Sequence, residues 1–322
     1  MKRREFIRGI AGAAATWPII AGAQQPGVPE AGLLVSGDNA LVRTLREGLR
    51  EHGWIEGQNL ILHVRWTEAK QERAQAIAAE FASMQLAVII APATGQYEEV
   101  RRATSTTPIV FCTHGDPVGT GHAVSLSRPG GNMTGLSLLH DALSAKKLEI
   151  LLEAIPTVRR IAILFDPTVL TAAINRGAVE TIAVRMGIAT SFIEMRTPDA
   201  IASAFEKAKT ESVDAVFVLP SNFTYFHREE LSRLALLYKM PGMFSYLEDT
   251  RAGALVAYAP DLTDTYRRCA GYVDKILRGA NPAELPIQQA TAFKLAINMR
   301  TAAELGLAIP ASLLARADEV IE

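Results

Sequence analysis

Two cysteines stand in 322 residues, Cys112 and Cys269, too few for a disulfide-stapled scaffold. Neither lies in a CxxC pair or at a metal-ligand spacing, so no redox or zinc centre is indicated. Cys112 falls in an apolar run and Cys269 in a helical pattern, and two buried thiols are the expectation. Histidine is scarce too, with six residues and no HExxH among them, so no metal is expected. There is no GKS or GKT, and Gly119-Thr120-Gly121-His122-Ala123-Val124 lacks the third glycine of a dinucleotide fingerprint. No cofactor is therefore expected. No Gly-x-Ser-x-Gly elbow offers a nucleophile. The formal charge is only −1, whereas a nucleic-acid partner would usually call for a basic face. No run of roughly 18 uncharged apolar residues suggests a membrane span in the mature chain.

The first residues carry an address. Lys2-Arg3-Arg4-Glu5-Phe6-Ile7-Arg8 is a twin-arginine head, Gly9 to Ala23 is a weakly apolar body, and Ala21-Gly22-Ala23 fits a small-x-small cleavage site. Residues 1–23 read as a twin-arginine signal peptide, which places the folded product in a bacterial periplasm. Its removal lowers the basic residues from 33 to 29 and the acidic from 34 to 33, leaving −4. No cysteine follows the cleavage site to take a lipid.

The mature chain alternates short apolar runs with helical patterns. Strands are expected at 32–35, 59–66, 86–91 and from Pro108, with helices at 41–53, 70–84 and 97–104 between them. The second half repeats the grammar, with strands at 160–165, 188–195, 214–219 and 242–246. Its helices are expected at 171–186, 198–210 and 223–239. Leu86-Ala87-Val88-Ile89-Ile90-Ala91-Pro92-Ala93-Thr94 resembles Asp214-Ala215-Val216-Phe217-Val218-Leu219-Pro220-Ser221-Asn222, and Pro108-Ile109-Val110-Phe111 matches Pro241-Gly242-Met243-Phe244. Apolar runs without alternation fit parallel sheets covered on both faces. The fold class is α/β: two doubly wound parallel-sheet lobes joined by three segments near 135–141, 258–262 and 286–290. The first lobe is expected over 28–136 plus 261–286, the second over 137–260 plus 287–322.

In such sheets ligands sit beyond the carboxyl ends of the strands. The stretch from Cys112 to Gly135 reads as the floor of a cleft and the exit from one lobe. The strand ends supply Ser36, Asp38, Thr94, Gly95, Thr113, His114, Asp116, Asp166, Ser221, Asn222 and Tyr246, with Tyr258 close behind. Thr94-Gly95 and Ser221-Asn222 open helices after equivalent strands, where free N–H groups can meet an anion. Each alone could equally be a helix cap. Asp116 beside His114 could be an acid/base pair, but no activated serine or cysteine attaches to it.

RREFI, GQNLILHVRW, PIVFCTHGDPVGTG, SLSRPGGNMTG and the terminal INMRTAAELGLAIPASLLARADEVIE resemble the ABC-transporter substrate-binding proteins of the tryptophan/tyrosine-binding type, over essentially the whole chain. The resemblance implies a type I periplasmic-binding fold, a ligand clamped between lobes and no catalysis. It also implies delivery of that ligand to an ABC permease in the inner membrane. The chain departs from the usual pattern at Ala93 to Tyr97 and at His114, both in the expected pocket. The ligand is thus carried over only as a class, an aromatic amino acid or related carboxylate. A monomer is expected. An enzyme or small-molecule sensor on the same two lobes is the alternative. A transcription regulator would place a helix-turn-helix where the export signal stands.

Overall fold

The structure, a computed structural model, describes residues 27–322 apart from residues 38, 69 and 139. The expected signal peptide and Asp38 of the expected pocket lie outside the described residues. Strand β1 (Glu30–Val35) leads into α1 (Asn39–Glu51), β2 (Ile61–Trp66), α2 (Gln71–Ser83), β3 (Val88–Ile90), α3 (Thr94–Ala103), β4 (Ile109–His114) and β5 (Met133–Ser137). The second half runs α4 (His140–Ala154), β6 (Arg160–Phe165), α5 (Ala172–Arg185), β7 (Ala189–Glu194), α6 (Asp199–Thr210), β8 (Ala215–Val218), α7 (Asn222–Phe226) and α8 (Arg228–Leu237). It closes with β9 (Gly242–Phe244), α9 (Leu247–Arg251) and β10 (Val256–Pro260). The chain then returns through α10 (Leu262–Leu277) and β11 (Gln288–Gln289), and ends with β12 (Phe293–Asn298), α11 (Met299–Glu304), α12 (Ala311–Leu314) and β13 (Glu319–Ile321).

The strands form two sheets, β11-β5-β4-β3-β1-β2 and β13-β12-β10-β9-β8-β6-β7. Their common part has one order, β2-β1-β3-β4-β5 in the first and β7-β6-β8-β9-β10 in the second. The two similar sequence stretches are β3 and β8, and the next matched pair is β4 and β9, so the repeat falls on equivalent strands. All strand pairs are parallel except β10 with β12. The sheets are thus parallel-dominated, as the expected fold class has it, with one antiparallel pairing at β12. The chain re-enters the second sheet from the hinge side, which reverses the strand. Each sheet is packed on both faces, by clusters around Leu45 and Phe81 in the first and around Leu151 and Phe205 in the second.

Helix α2 buries Ala74, Ile77, Ala78 and Phe81, the stripe that a 3.6-residue period places on one face. Helix α10 crosses α1 closely, since a methyl group on Gly48 would stand 2.8 Å from Ala270 Cβ. It also lies on β4, where Cys269 and Cys112 are joined as a disulfide with Cα atoms 5.4 Å apart. The expected pair of free thiols is corrected here. β5 passes β4 so closely that a Cβ on Gly135 would sit 1.9 Å from the Phe111 carbonyl oxygen, and the Gly135 φ of +147° suits glycine alone.

Three short segments cross between the sheets, after β5, after β10 and after β11. They lie together. β11 pairs with β5, and β10 pairs with β12 up to Pro260 and Phe293. The Asp261 N–H donates to Ala292 O at 3.1 Å, which ties two of the crossings to each other.

Candidate functional site

The carboxyl ends of both sheets open onto one cleft. An inner chamber of about 80 Å³ is lined by Ser36, Thr94 and Thr113 of the first lobe and by Ser221, Asn222 and Tyr246 of the second. An outer chamber of about 490 Å³ adjoins it and reaches Gly95 and Asp166. The chambers share Ser36, Thr94, Gln96, Val169, Asn222 and Phe226. The lobes meet across them. A methyl on Gly95 would come 3.5 Å from Asn222 Nδ2, and one on Gly37 would come 3.8 Å from the Phe226 ring.

Four aromatic rings shape the inner chamber. Tyr225, Phe226 and Tyr246 come from the second lobe, and Tyr266 comes from the return helix α10. Tyr225 and Tyr246 meet edge to face at 5.0 Å, a favourable aromatic arrangement. Tyr225 packs with Leu41, Val42, Leu262 and Tyr266, which belong to the first lobe's core. Strand-end reasoning gave Tyr246 but missed Tyr225, Phe226, Tyr266 and Gln96. The signal lay in Tyr225-Phe226, one turn beyond Asn222. The expected helix over 223–239 is in fact divided at His227, where φ is −100° and ψ is 18°. The one-turn α7 aims both rings at the other lobe.

None of the described residues lining the inner chamber is charged. Its polar groups are hydroxyls and amides. Helix α3 starts at Thr94 with Ala93 as its N-cap, and the Gln96 side-chain oxygen accepts the Ala93 N–H at 2.7 Å. Orphan N–H groups of the first helical turn thus stand at the edge of both chambers. Ser221 behaves as a cap. Its hydroxyl accepts the Thr224 N–H at 3.0 Å, and the Thr224 hydroxyl accepts the Ser221 N–H at 3.0 Å. Asn222 faces the opposite lobe instead.

Three expected residues do not line either chamber. His114 is fully buried, because the period-two alternation of β4 turns it away from the cleft that Thr113 faces. Its ring stacks on Tyr97 at 4.4 Å and its Nε2 lies 2.8 Å from His122 Nδ1. His122 Nε2 stands 3.0 Å from Glu98 Oε1. Burial pushes the Glu98 carboxyl up, but the His122 hydrogen bond and the charges of His122, Arg101 and Arg102 outweigh it and hold the group below its ordinary value. Asp116 closes its own turn, accepting the Gly119 N–H at 2.8 Å. Tyr258 stacks on Phe293 at 6.0 Å beside the hinge. Asp166 lines the outer chamber only, and accepts the Thr168 N–H at 2.9 Å.

Residues 33–321 match the model of a family described as ABC transporter substrate binding protein. A tyrosine-binding protein of Clostridioides difficile is 25% identical over 263 residues, covering 79% of this chain and 73% of that protein. A solved structure of a conserved domain protein from Vibrio cholerae superposes with a TM-score of 0.85 at 27% identity, covering 91% of this chain and 99% of that one. A solved ABC domain in complex with L-Trp, from Streptococcus pneumonia, gives 0.84 at 22% identity with the same coverage.

Proposed function

The chain belongs to the ABC transporter substrate-binding protein family, and from that premise we propose a periplasmic receptor that clamps an aromatic amino acid or related carboxylate and passes it to an ABC permease. The observation that carries the ligand class is the inner chamber, four aromatic rings around a space without described charged lining. An aromatic side chain fits among the rings. A carboxylate fits the neutral donors at the start of α3 and the Asn222 amide. The tyrosine-binding relative and the L-Trp complex support this class. Among the described residues no helix is long and apolar enough to cross a membrane, so membrane delivery falls to a partner. The receptor acts as a monomer, by binding and without catalysis. The twin-arginine head supports export.

Asn222→Ala should weaken L-tyrosine or L-tryptophan binding about ten- to a hundredfold, the loss of one hydrogen bond to a charged group, with the melt unchanged. Ser221→Ala should do the reverse, costing about 1 kcal/mol of stability as a lost cap and leaving affinity alone. Calorimetric titration with a thermal melt separates them. Equal affinity of Asn222→Ala and the parent protein would remove Asn222 from the site.

Closure is the second expectation. Tyr225, Phe226 and Tyr246 pack on the first lobe only while the cleft is shut. The short crossings can absorb a rotation between lobes. Saturating ligand should therefore reduce the radius of gyration in X-ray scattering. An unchanged curve at saturation would rule the hinge out.

A further inference from the structure

We propose that the cleft reads both charged ends of an amino acid by hydrogen-bond polarity, and that Gln96 is the positioning residue that sets one half of that code; this rests on the amino-acid reading above. Gln96 is buried at 4% exposure, and its orientation is fixed by chemistry. The Ala93 N–H can only donate, so it must meet the Gln96 Oε1. The amide nitrogen therefore faces Ser36, and donates to its Oγ. Thr67 also donates its hydroxyl to Ser36 Oγ, at 3.4 Å. With both lone pairs engaged, the single Ser36 proton is left to donate into the chamber. Thr94 leans the same way, since its Oγ1 accepts the Tyr97 hydroxyl at 3.1 Å and keeps its own proton to donate.

Thr113 is set the opposite way. Its hydroxyl donates to the Pro92 carbonyl at 2.7 Å, and a carbonyl can only accept. Thr113 Oγ1 therefore presents lone pairs to a ligand. Donors stand at the ends of β1 and β3, and an acceptor stands at the end of β4. The sheet order β1-β3-β4 puts Ser36 and Thr113 two strand spacings apart, about 9.6 Å. That is the span of two hydrogen bonds of about 2.8 Å each with the short stretch from ammonium to carboxylate between them. The carboxylate lies toward Ser36 and Thr94, the ammonium toward Thr113.

The test uses L-tyrosine, tyramine, which lacks the carboxylate, and 3-(4-hydroxyphenyl)propionate, which lacks the ammonium, titrated calorimetrically. The parent protein is expected to bind L-tyrosine at least tenfold more tightly than either analogue. Thr113→Val should weaken L-tyrosine ten- to a hundredfold and leave the propionate unchanged, and Thr113→Ser should restore the amino acid. Gln96→Glu replaces the donor to Ser36 by an acceptor, so the Ser36 proton turns away from the chamber. L-tyrosine and the propionate should both weaken tenfold or more, and tyramine should not. Ser36→Ala should weaken both ligands by itself, and adding Gln96→Glu to it should cause little further loss, because the effect passes through Ser36. Additive losses would show the new charge acting directly and overturn the role of Gln96. An analogue bound as tightly as L-tyrosine would overturn the polarity code and leave the aromatic reading standing. Should L-tyrosine and L-tryptophan both fail, the aromatic reading falls, and each remaining amino acid is titrated beside its amine and acid counterparts. An amine or acid equal to its parent then overturns the code, and no binding by any amino acid overturns both.

Discussion

C112A/C269A should lose roughly 2–5 kcal/mol of stability relative to the oxidised protein. The bridge joins residues 157 positions apart, and the cost of closing so long a loop in the unfolded chain sets the upper end of that range. Both cysteines are fully buried, one on a central strand of the first sheet and the other on the helix that returns to cover it. Without the bridge, α10 is held by its apolar face and by polar contacts such as Trp54 Nε1–H to Asp274 at 2.9 Å. The loss should also reach the ligand. Thr113 follows Cys112 directly, and Tyr266 precedes Cys269 by one turn of α10, so the bridge fixes two chamber walls to each other. Denaturant midpoints of the oxidised parent, the reduced parent and the double alanine variant check this. The reduced parent should fall close to the variant. Midpoints that coincide for all three would mean that the bridge does not form.

That bridge shows where reading the chain alone stops. Export made a disulfide permissible, but pairing depended on α10 leaving the second half and packing back on β4. The return of residues 261–286 to the first lobe was expected, but strand and helix periods could not say that it would set Cys269 against Cys112. The repeat was legible because equivalent apolar runs end in the same kind of loop, at Pro92-Ala93-Thr94 and Pro220-Ser221-Asn222. The polar strand ends were legible for the same reason, and they gave Ser36, Thr94, Thr113 and Asn222 as cleft residues. His114 followed from the same rule and was wrong by one position, which in a strand means the other face. Of the aromatic walls only Tyr246 was legible, as a strand end; Tyr225, Phe226 and Tyr266 were hidden, since they arrive from a one-turn helix of the opposite lobe and from α10. Helix α4 was overlooked because its buried face, which includes Leu143, Leu148, Leu151 and Ala154, also contains Lys147. A lysine in an apolar stripe breaks the pattern that marks a helix.

Lys147 carries the second large effect. It is 2% exposed, and its Nζ donates to Ser245 Oγ at 3.3 Å. Asp249, also 2% exposed, accepts the Ser245 and Tyr246 N–H groups through Oδ2 at 3.1 and 2.9 Å. Burial pushes the Asp249 carboxyl up to about 7, in spite of those hydrogen bonds. Burial pushes the Lys147 ammonium down to about 8, and the charge of Asp249 only partly offsets it. Between pH 4 and 7 the folded protein holds a proton on Asp249 that the unfolded chain has released, so stability falls as pH rises. Between pH 8 and about 10.5 the unfolded chain holds a proton that folded Lys147 has lost, so stability rises. These two groups therefore place a minimum near pH 7 to 8. D249N keeps an acceptor for the two N–H groups and removes the acid limb, so its urea midpoint should change less between pH 4 and 7 than the parent's. K147M keeps the volume and removes the buried cation. It should be neutral or stabilising at pH 7 and should flatten the alkaline limb. D249A should cost roughly 2–6 kcal/mol, since it leaves two buried N–H groups unpaired at about 1–3 kcal/mol each. It should also weaken the ligand, because Asp249 holds the backbone that aims Tyr246 into the chamber. A D249N midpoint that tracks the parent across pH 4 to 7 would mean that Asp249 ionises in the folded protein as it does in the unfolded chain.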